Sequence, residues 1–156
     1  MINIIAAVGQ NNELGKNNKL IWPLKKDLEF FREMTWDHDI IMGRRTFESL
    51  PKLLEHRNHI VLSNKNIDIE GVKTCNDVKA LITDYKDKDA FVIGGAKVYK
   101  EFLEYTEKIF LTLIEAEDKN ADSFFPKFDK REFKRIYLDE DVEDGILFRH
   151  VLYKRR

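Results

Sequence analysis

The feature that most constrains this chain is an alternation. Short, almost unbroken apolar runs (IIAAV, DIIM, HIVLS, AFVI, IFLTLI) are separated by stretches whose apolar residues recur at the i, i+3, i+4, i+7 spacing of a helix face. A strand that is apolar on both faces has to be covered on both, and strand–helix repetition provides the covers from the chain itself. The pattern therefore predicts an α/β fold: a mostly parallel sheet flanked by helices on both faces. Strands are expected over 2–8, 39–42, 58–63, 90–93 and 109–114, and helices over 24–34, 44–50, 76–85 and 97–103. After Pro126 the period changes. EFKRIYLDE and ILFRHVLYK alternate with period two around the turn EDG, which predicts a C-terminal antiparallel hairpin at one edge of the sheet, its Lys and Arg serving as edge charges. No linker, repeat or low-complexity tract interrupts the 156 residues. Residues 1–156 read as one domain, long enough to bury about two thirds of the unfolded surface.

Charge and cysteine content exclude several classes of function. With 27 Lys and Arg against 28 Asp and Glu the net charge is -1, so no global field draws the chain to nucleic acid or to a membrane. An anionic ligand would have to be held by a local cluster. The single cysteine, Cys75, has no disulfide partner, which fits a reducing cytoplasm. MINIIAAVG is too short for a signal-peptide core, and no apolar run approaches the ~20 residues of a membrane span. His38, His56, His59 and His150 share no metal-ligand spacing. They read as surface or satisfied core histidines, and neither a metal site nor a Ser-His-acid set is visible.

Parallel sheets bind ligands beyond the carboxyl ends of their strands. Here those ends are chemically loaded: DIIM runs into Gly43-Arg44-Arg45-Thr46, HIVL (through Leu62) into Ser63-Asn64-Lys65, and AFVI into Gly94-Gly95-Ala96-Lys97. Arginines at a helix start oppose the helix dipole and are easier to explain with an anion between them, although a solvated surface helix suits them as well. Gly94-Gly95 fits either a close ligand approach or a plain tight turn. Neither G-x-G-x-x-G nor the Walker loop is present. Residues 9–23, GQNNELGKNNKLIWP, are too long and polar for a simple connection, and loops of this kind are often functional lids.

In LIWPLKKDLEFF, Leu24, Asp27, Leu28 and Phe31 share one helical face. A carboxylate among apolar neighbours is costly unless paired. Near a helix start it can cap free N–H groups, and facing a cleft it can hold a ligand with adjacent N–H donors; the spacing leaves both open. Arg57, just before a strand, is either exposed or a bidentate clamp for a carboxylate.

Together IIAAV, LGKNNKLIW, DLEFF, IIMGRRTFES, RNHIVLS, VIGGAKVY and IFLTLIEAE resemble, in order and spacing, the motifs of the dihydrofolate reductases of bacterial chromosomal type, from Met1 to the C-terminal hairpin. The resemblance implies an eight-stranded sheet and an NADPH-dependent reduction of dihydrofolate, with hydride transfer to C6 and protonation at N5. It implies Asp27 as the ionisable group at the pterin, with Trp22 and Thr112 in its network. Ile5, Ala6, Leu28, Phe31, Leu54 and Ile93 would wall the folate, and Arg57 would clamp its glutamate carboxylate. Ala7 and Leu14 would flank the nicotinamide, with Tyr99 close by. Gly94-Gly95, the family's usual site of a cis peptide, would approach the pyrophosphate together with Thr46 and Ala96. Arg44, Asn64 and Lys97, with Arg45 and Lys65 adjacent, would surround the 2′-phosphate, and Gly43, Leu62, Ser63 and Val98 would also line the cofactor site. Residues 9–23 become the mobile active-site loop, with Asp122 bonded near Gly15, and a monomer is the family expectation. The chain departs from the family where Ile21 replaces a proline and where Leu53-Leu54-Glu55-His56-Arg57 replaces Pro-Leu-Pro-Gly-Arg. Its proline at Pro23, ahead of the family's helix-entry proline at the position of Lys25, predicts a slightly early helix start. A pyrimidine reductase of flavin biosynthesis and a non-catalytic nucleotide-binding protein of the same fold are the alternatives.

Overall fold

The computed structural model describes residues 1–156. In chain order the elements are β1 (Ile2–Val8), β2 (Glu13–Lys16), β3 (Lys19–Leu20), α1 (Lys25–Thr35), β4 (Asp39–Gly43), α2 (Arg44–Ser49), β5 (Asn58–Leu62), β6 (Val72–Cys75), α3 (Val78–Asp84), β7 (Ala90–Gly94), α4 (Ala96–Phe102), β8 (Thr106–Ile114), β9 (Ser123–Phe124), β10 (Phe133–Glu143) and β11 (Ile146–Arg155). The main sheet has eight strands in the order β10-β11-β8-β1-β7-β4-β5-β6. All neighbours from β8 to β6 are parallel, and β11 runs antiparallel to both β8 and β10.

Each apolar strand feeds two layers because successive side chains point to opposite faces. From β1, Ile2, Ile4, Ala6 and Val8 join Leu81 and Tyr85 of the α3 region and Val98, Tyr99 and Phe102 of α4. Ile5 turns the other way, into a layer with Ile40, Met42, Val61, Phe91 and Phe110 that is roofed by Phe30, Phe31 and Met34 of α1 and Phe47 of α2. Ile4, Ile40, Ile41 and Met42 are fully buried, each stabilising the fold by about 1.5–3 kcal/mol relative to exposure.

The structure adds to the sequence reading at β6, an edge strand of mixed polarity that carries no continuous apolar run. It also corrects the start of α1. The helix begins at Lys25, not earlier, because Leu24 is extended (φ -70°, ψ 124°) and buried with Ile114 and Phe148. The first free amides are capped from the far end of the chain: the Glu143 carboxylate accepts from Lys25 N at 2.7 Å and Lys26 N at 2.9 Å. Part of the long polar loop is regular too, since β2, β3 and β9 form a small antiparallel sheet.

Candidate active site

Strand register places four residues in one row across the sheet. Ala7 of β1 is opposite Thr112 of β8, Thr112 is opposite His150 of β11, and His150 is opposite Asp139 of β10, next to a bulge. Above this row α1 sets Asp27, 8% exposed. Its Oδ1 accepts the Thr112 hydroxyl proton at 2.6 Å and faces His150 Nε2 at 3.0 Å. Asp27 therefore does not cap its own helix, a task performed by Glu143. Trp22 packs with Leu24, Ile114 and Phe148 at the start of the same helix. Asp27 and Thr112 are thus bonded to each other, and Trp22 packs at the same end of the sheet.

Around them stand Ile5, buried beneath α1, and the half-buried Phe31, Leu54 and Ile93 in the same layer. Leu28 is 44% exposed, so it lines the surface beside Asp27 and is not part of the core. Ala6 belongs with its side chain to the opposite layer, and only its backbone is offered on the Asp27 side. Arg57 is held by Glu55 O (2.7 Å) and the Thr35 hydroxyl (3.2 Å), with its guanidinium near the Trp36 ring. Burial and then Arg32 draw its pKa below the usual value. His56, where the family carries glycine, has φ 58°. It is supported there by stacking on Trp36 at 4.3 Å and by a hydrogen bond from Asp37 N to its carbonyl.

The strand order β7-β4-β5 puts the loaded strand ends side by side, with Gly43 in register with Leu62 and Met42 with Gly94. The Gly94-Gly95 peptide is cis. A Cβ on Gly94 would meet Thr46 Oγ1 at 3.3 Å, and one on Gly43 would meet Val98 at 3.0 Å, so glycine allows α2 and α4 to converge there. Ala96, Lys97 and Val98 open α4 beside them. Arg44 pairs with Glu48 at 2.7 Å on α2, and Ser63 Oγ accepts from Lys65 N, shaping the turn that carries Asn64. Tyr99 is buried, donates its hydroxyl to Ile5 O at 2.8 Å, and has its pKa raised by burial. Leu14 packs at the margin of the same layer.

The loop from Gly9 is tied down by a group the sequence reading did not single out. Glu13 is 1% exposed and its carboxylate accepts from Asn11 N and Asp118 N, both at 2.7 Å. Asp122 adds a second tie, with its N–H on Gly15 O (3.1 Å) and its carboxylate on Asn17 N (2.9 Å).

A family model described as dihydrofolate reductase matches residues 1–155. The chain belongs to the dihydrofolate reductase family. It is 39% identical over 146 residues to the dihydrofolate reductase of Buchnera aphidicola subsp. Schizaphis graminum, covering 92% of this chain and 90% of that one. The Bacillus subtilis enzyme is 34% identical over 146 residues (92% and 86%). Among solved structures, dihydrofolate reductase from Enterococcus faecalis complexed with NADP(H) and RAB-propyl is similar at TM-score 0.91 and 28% identity, covering 100% of this chain and 96% of that one. The fold implied by the sequence resemblance is thereby shown, as is membership of an NADPH-using oxidoreductase family.

His150 is the residue at this site that sequence reasoning missed, having been read as surface or satisfied core. The signal was its place between Phe148 and Leu152 on the inward phase of a period-2 strand. That signal needs the cross-strand register before it points at Asp27.

Proposed function

We propose that this chain reduces 7,8-dihydrofolate to 5,6,7,8-tetrahydrofolate, with hydride transfer to C6 and protonation at N5. The observation that carries the residue roles is the buried Asp27 carboxylate, whose Oδ1 is fixed by Thr112 and His150 beside the row of strand ends. A carboxylate so fixed suits a flat ligand edge bearing two adjacent N–H donors, the N3 and 2-amino edge of a pterin. Because the Thr112 proton is committed to Asp27, the Thr112 oxygen is left as an acceptor for the 2-amino group. Asp27 accepts the pterin edge and favours the protonated reacting form. Trp22 closes the site beside it, and Ile5, Leu28, Phe31, Leu54 and Ile93 exclude water from the folate. Arg57, preset by Glu55 and Thr35, clamps the glutamate carboxylate.

The strand ends fit NADPH: a glycine cradle that a Cβ would fill, hydroxyls at Thr46 and Ser63, and cations at Arg44, Arg45, Lys65 and Lys97 for a 2′-phosphate. When bound, NADPH supplies the hydride. Ala7, Leu14 and Tyr99 would border its nicotinamide, and Gly94, Gly95, Ala96 and Val98 its pyrophosphate. We read residues 1–156 as one catalytic domain, a cytoplasmic monomer acting on small molecules and not on nucleic acid. No helix is long and apolar enough to cross a membrane.

The test is loss of NADPH absorbance on adding dihydrofolate, with tetrahydrofolate formed mole for mole. Folded protein that consumes no NADPH with dihydrofolate, yet does with a phosphoribityl pyrimidine, would transfer the site to the flavin-pathway reaction.

A further inference from the structure

His150 is fixed in every respect except its protonation. Its ring stacks on Phe30 (centroids 3.8 Å apart, 10° between planes) and meets the edge of Phe148 at 5.7 Å. It is 5% exposed. Its two nitrogens face two carboxylates, Nε2 to Asp27 at 3.0 Å and Nδ1 to Asp139 at 2.6 Å. Ionised carboxylates only accept, and a neutral imidazole has a single N–H to give. Both contacts are satisfied together only by the imidazolium. Asp139 itself, with its side chain 64% exposed, stands on the edge strand β10, so the three groups run from solvent to the buried end of the site.

We propose that His150 is a positioning residue for this reaction: an imidazolium, anchored by Asp139, that orients the Asp27 carboxylate and sets the pH range over which the substrate proton is held. The proposal rests on the dihydrofolate reading of the site. His150 donates to the same oxygen as Thr112, so the carboxylate plane is pinned from two strands. The charges around it are mixed. From α1 come Asp27 and Lys26, and from β10 Asp139 and Asp141, with Lys26 and Asp141 paired at 3.0 Å and Glu143 occupied in capping α1. From β8 comes the neutral Thr112, while the adjoining Arg149 is engaged by Glu115 and Glu140. Burial opposes the charge on His150, but the hydrogen bonds and charges of Asp27 and Asp139 outweigh it and raise its pKa. A fixed cation there opposes further protonation at the pterin and holds the falling limb of the rate profile at lower pH.

The experiment is the pH profile of single-turnover hydride transfer for the unaltered protein, His150→Phe and Asp139→Asn. Phenylalanine keeps the stack on Phe30 and removes the charge. Its midpoint should move to higher pH by about one unit, a tenfold change in proton affinity. Asp139→Asn, on an exposed strand and expected to fold, should move it the same way by less. In parallel, imidazole nitrogen NMR should show His150 doubly protonated at neutral pH and less so in Asp139→Asn. Profiles that superimpose after scaling, with rate alone reduced, would reduce His150 to packing and overturn the proposal, as would a singly protonated ring at neutral pH. If the unaltered protein does not turn over dihydrofolate, the family reaction fails instead, and the NMR arm still decides the state of His150.

Discussion

Gly9→Ala measures how tightly the loop from Gly9 to Pro23 is built. A Cβ at Gly9 would lie 2.5 Å from Trp22 Cη2, 2.8 Å from Trp22 Cζ3 and 2.6 Å from Glu13 Oε1. Carbon contacts relax near 3.5–4.0 Å, so a neighbour has to retreat by about 1 Å. Glu13 is poorly able to do so. Its carboxylate holds Asn11 N and Asp118 N, and each such charge-assisted bond is worth about 1.5–3 kcal/mol. Trp22 therefore yields, and it is the residue that packs beside Leu24 at the start of α1. Overpacking of this kind costs about 1–3 kcal/mol; with Glu13 immovable the upper part of the range applies. For a chain of this length that lowers Tm by roughly 5–10 °C. The same shift disturbs the wall beside Asp27, so KM for dihydrofolate should rise more than KM for NADPH. Gly145→Ala is the control: with φ +76° and no atom within 4 Å, it carries backbone strain alone, about 1 kcal/mol. Thermal melts and steady-state kinetics read both. A Gly9→Ala protein melting within about 2 °C of the unaltered one, with unchanged KM, would refute the packing argument.

Arg57→Ala should raise KM for dihydrofolate by about tenfold or more, the loss expected of a bidentate carboxylate contact, and leave NADPH affinity unchanged; the opposite pattern in paired titrations would mean the two ligand sides are exchanged. Glu143→Ala should speed hydrogen exchange at the Lys25 and Lys26 amides and lower Tm. The capping bonds hold the Glu143 pKa below its usual value, so the difference from the unaltered protein is present above about pH 4.5 and disappears as pH falls further. His59 is buried with Leu54 N bonded to its Nε2, and burial lowers its pKa. The unfolded chain takes up a proton there first, so stability falls as pH drops below about 6.5 toward the folded value. His59→Gln keeps an acceptor without the titration, and its urea midpoint should be flatter over that window.

The elements most legible in the sequence are those whose signal is local. IIAAV, DIIM and HIVLS are doubly covered strands and read as such from their continuous apolar character, and the inward face of Asp27 followed from helical spacing. The loaded ends of β4, β5 and β7 were readable as one cluster because a parallel sheet brings strand ends of the same polarity side by side. What escaped depends on residues far apart in the chain. The start of α1 is fixed by Glu143, more than a hundred positions away, and no propensity of Pro23 competes with one carboxylate holding two amides. β6 is short, half polar and at an edge, so its pairing with β5 is its only mark. The exposure of Leu28 reflects its place at the rim beside Asp27, where the apolar stripe implied burial. The role of His150 needed the register of β11 against β8 and the bulge that brings Asp139 opposite it. His56 adopts a left-handed conformation that a glycine would have announced.

Asp27→Asn bears most directly on the account. The substitution keeps size and the acceptor for Thr112 but removes the charge that faces His150 and that we propose pairs with the pterin edge. Single-turnover hydride transfer near neutral pH should fall by about 10²–10⁴-fold and recover as the pH is lowered and the substrate arrives protonated, with NADPH affinity unchanged. Transfer as fast as in the unaltered protein at neutral pH would contradict the placement of Asp27 at the chemistry.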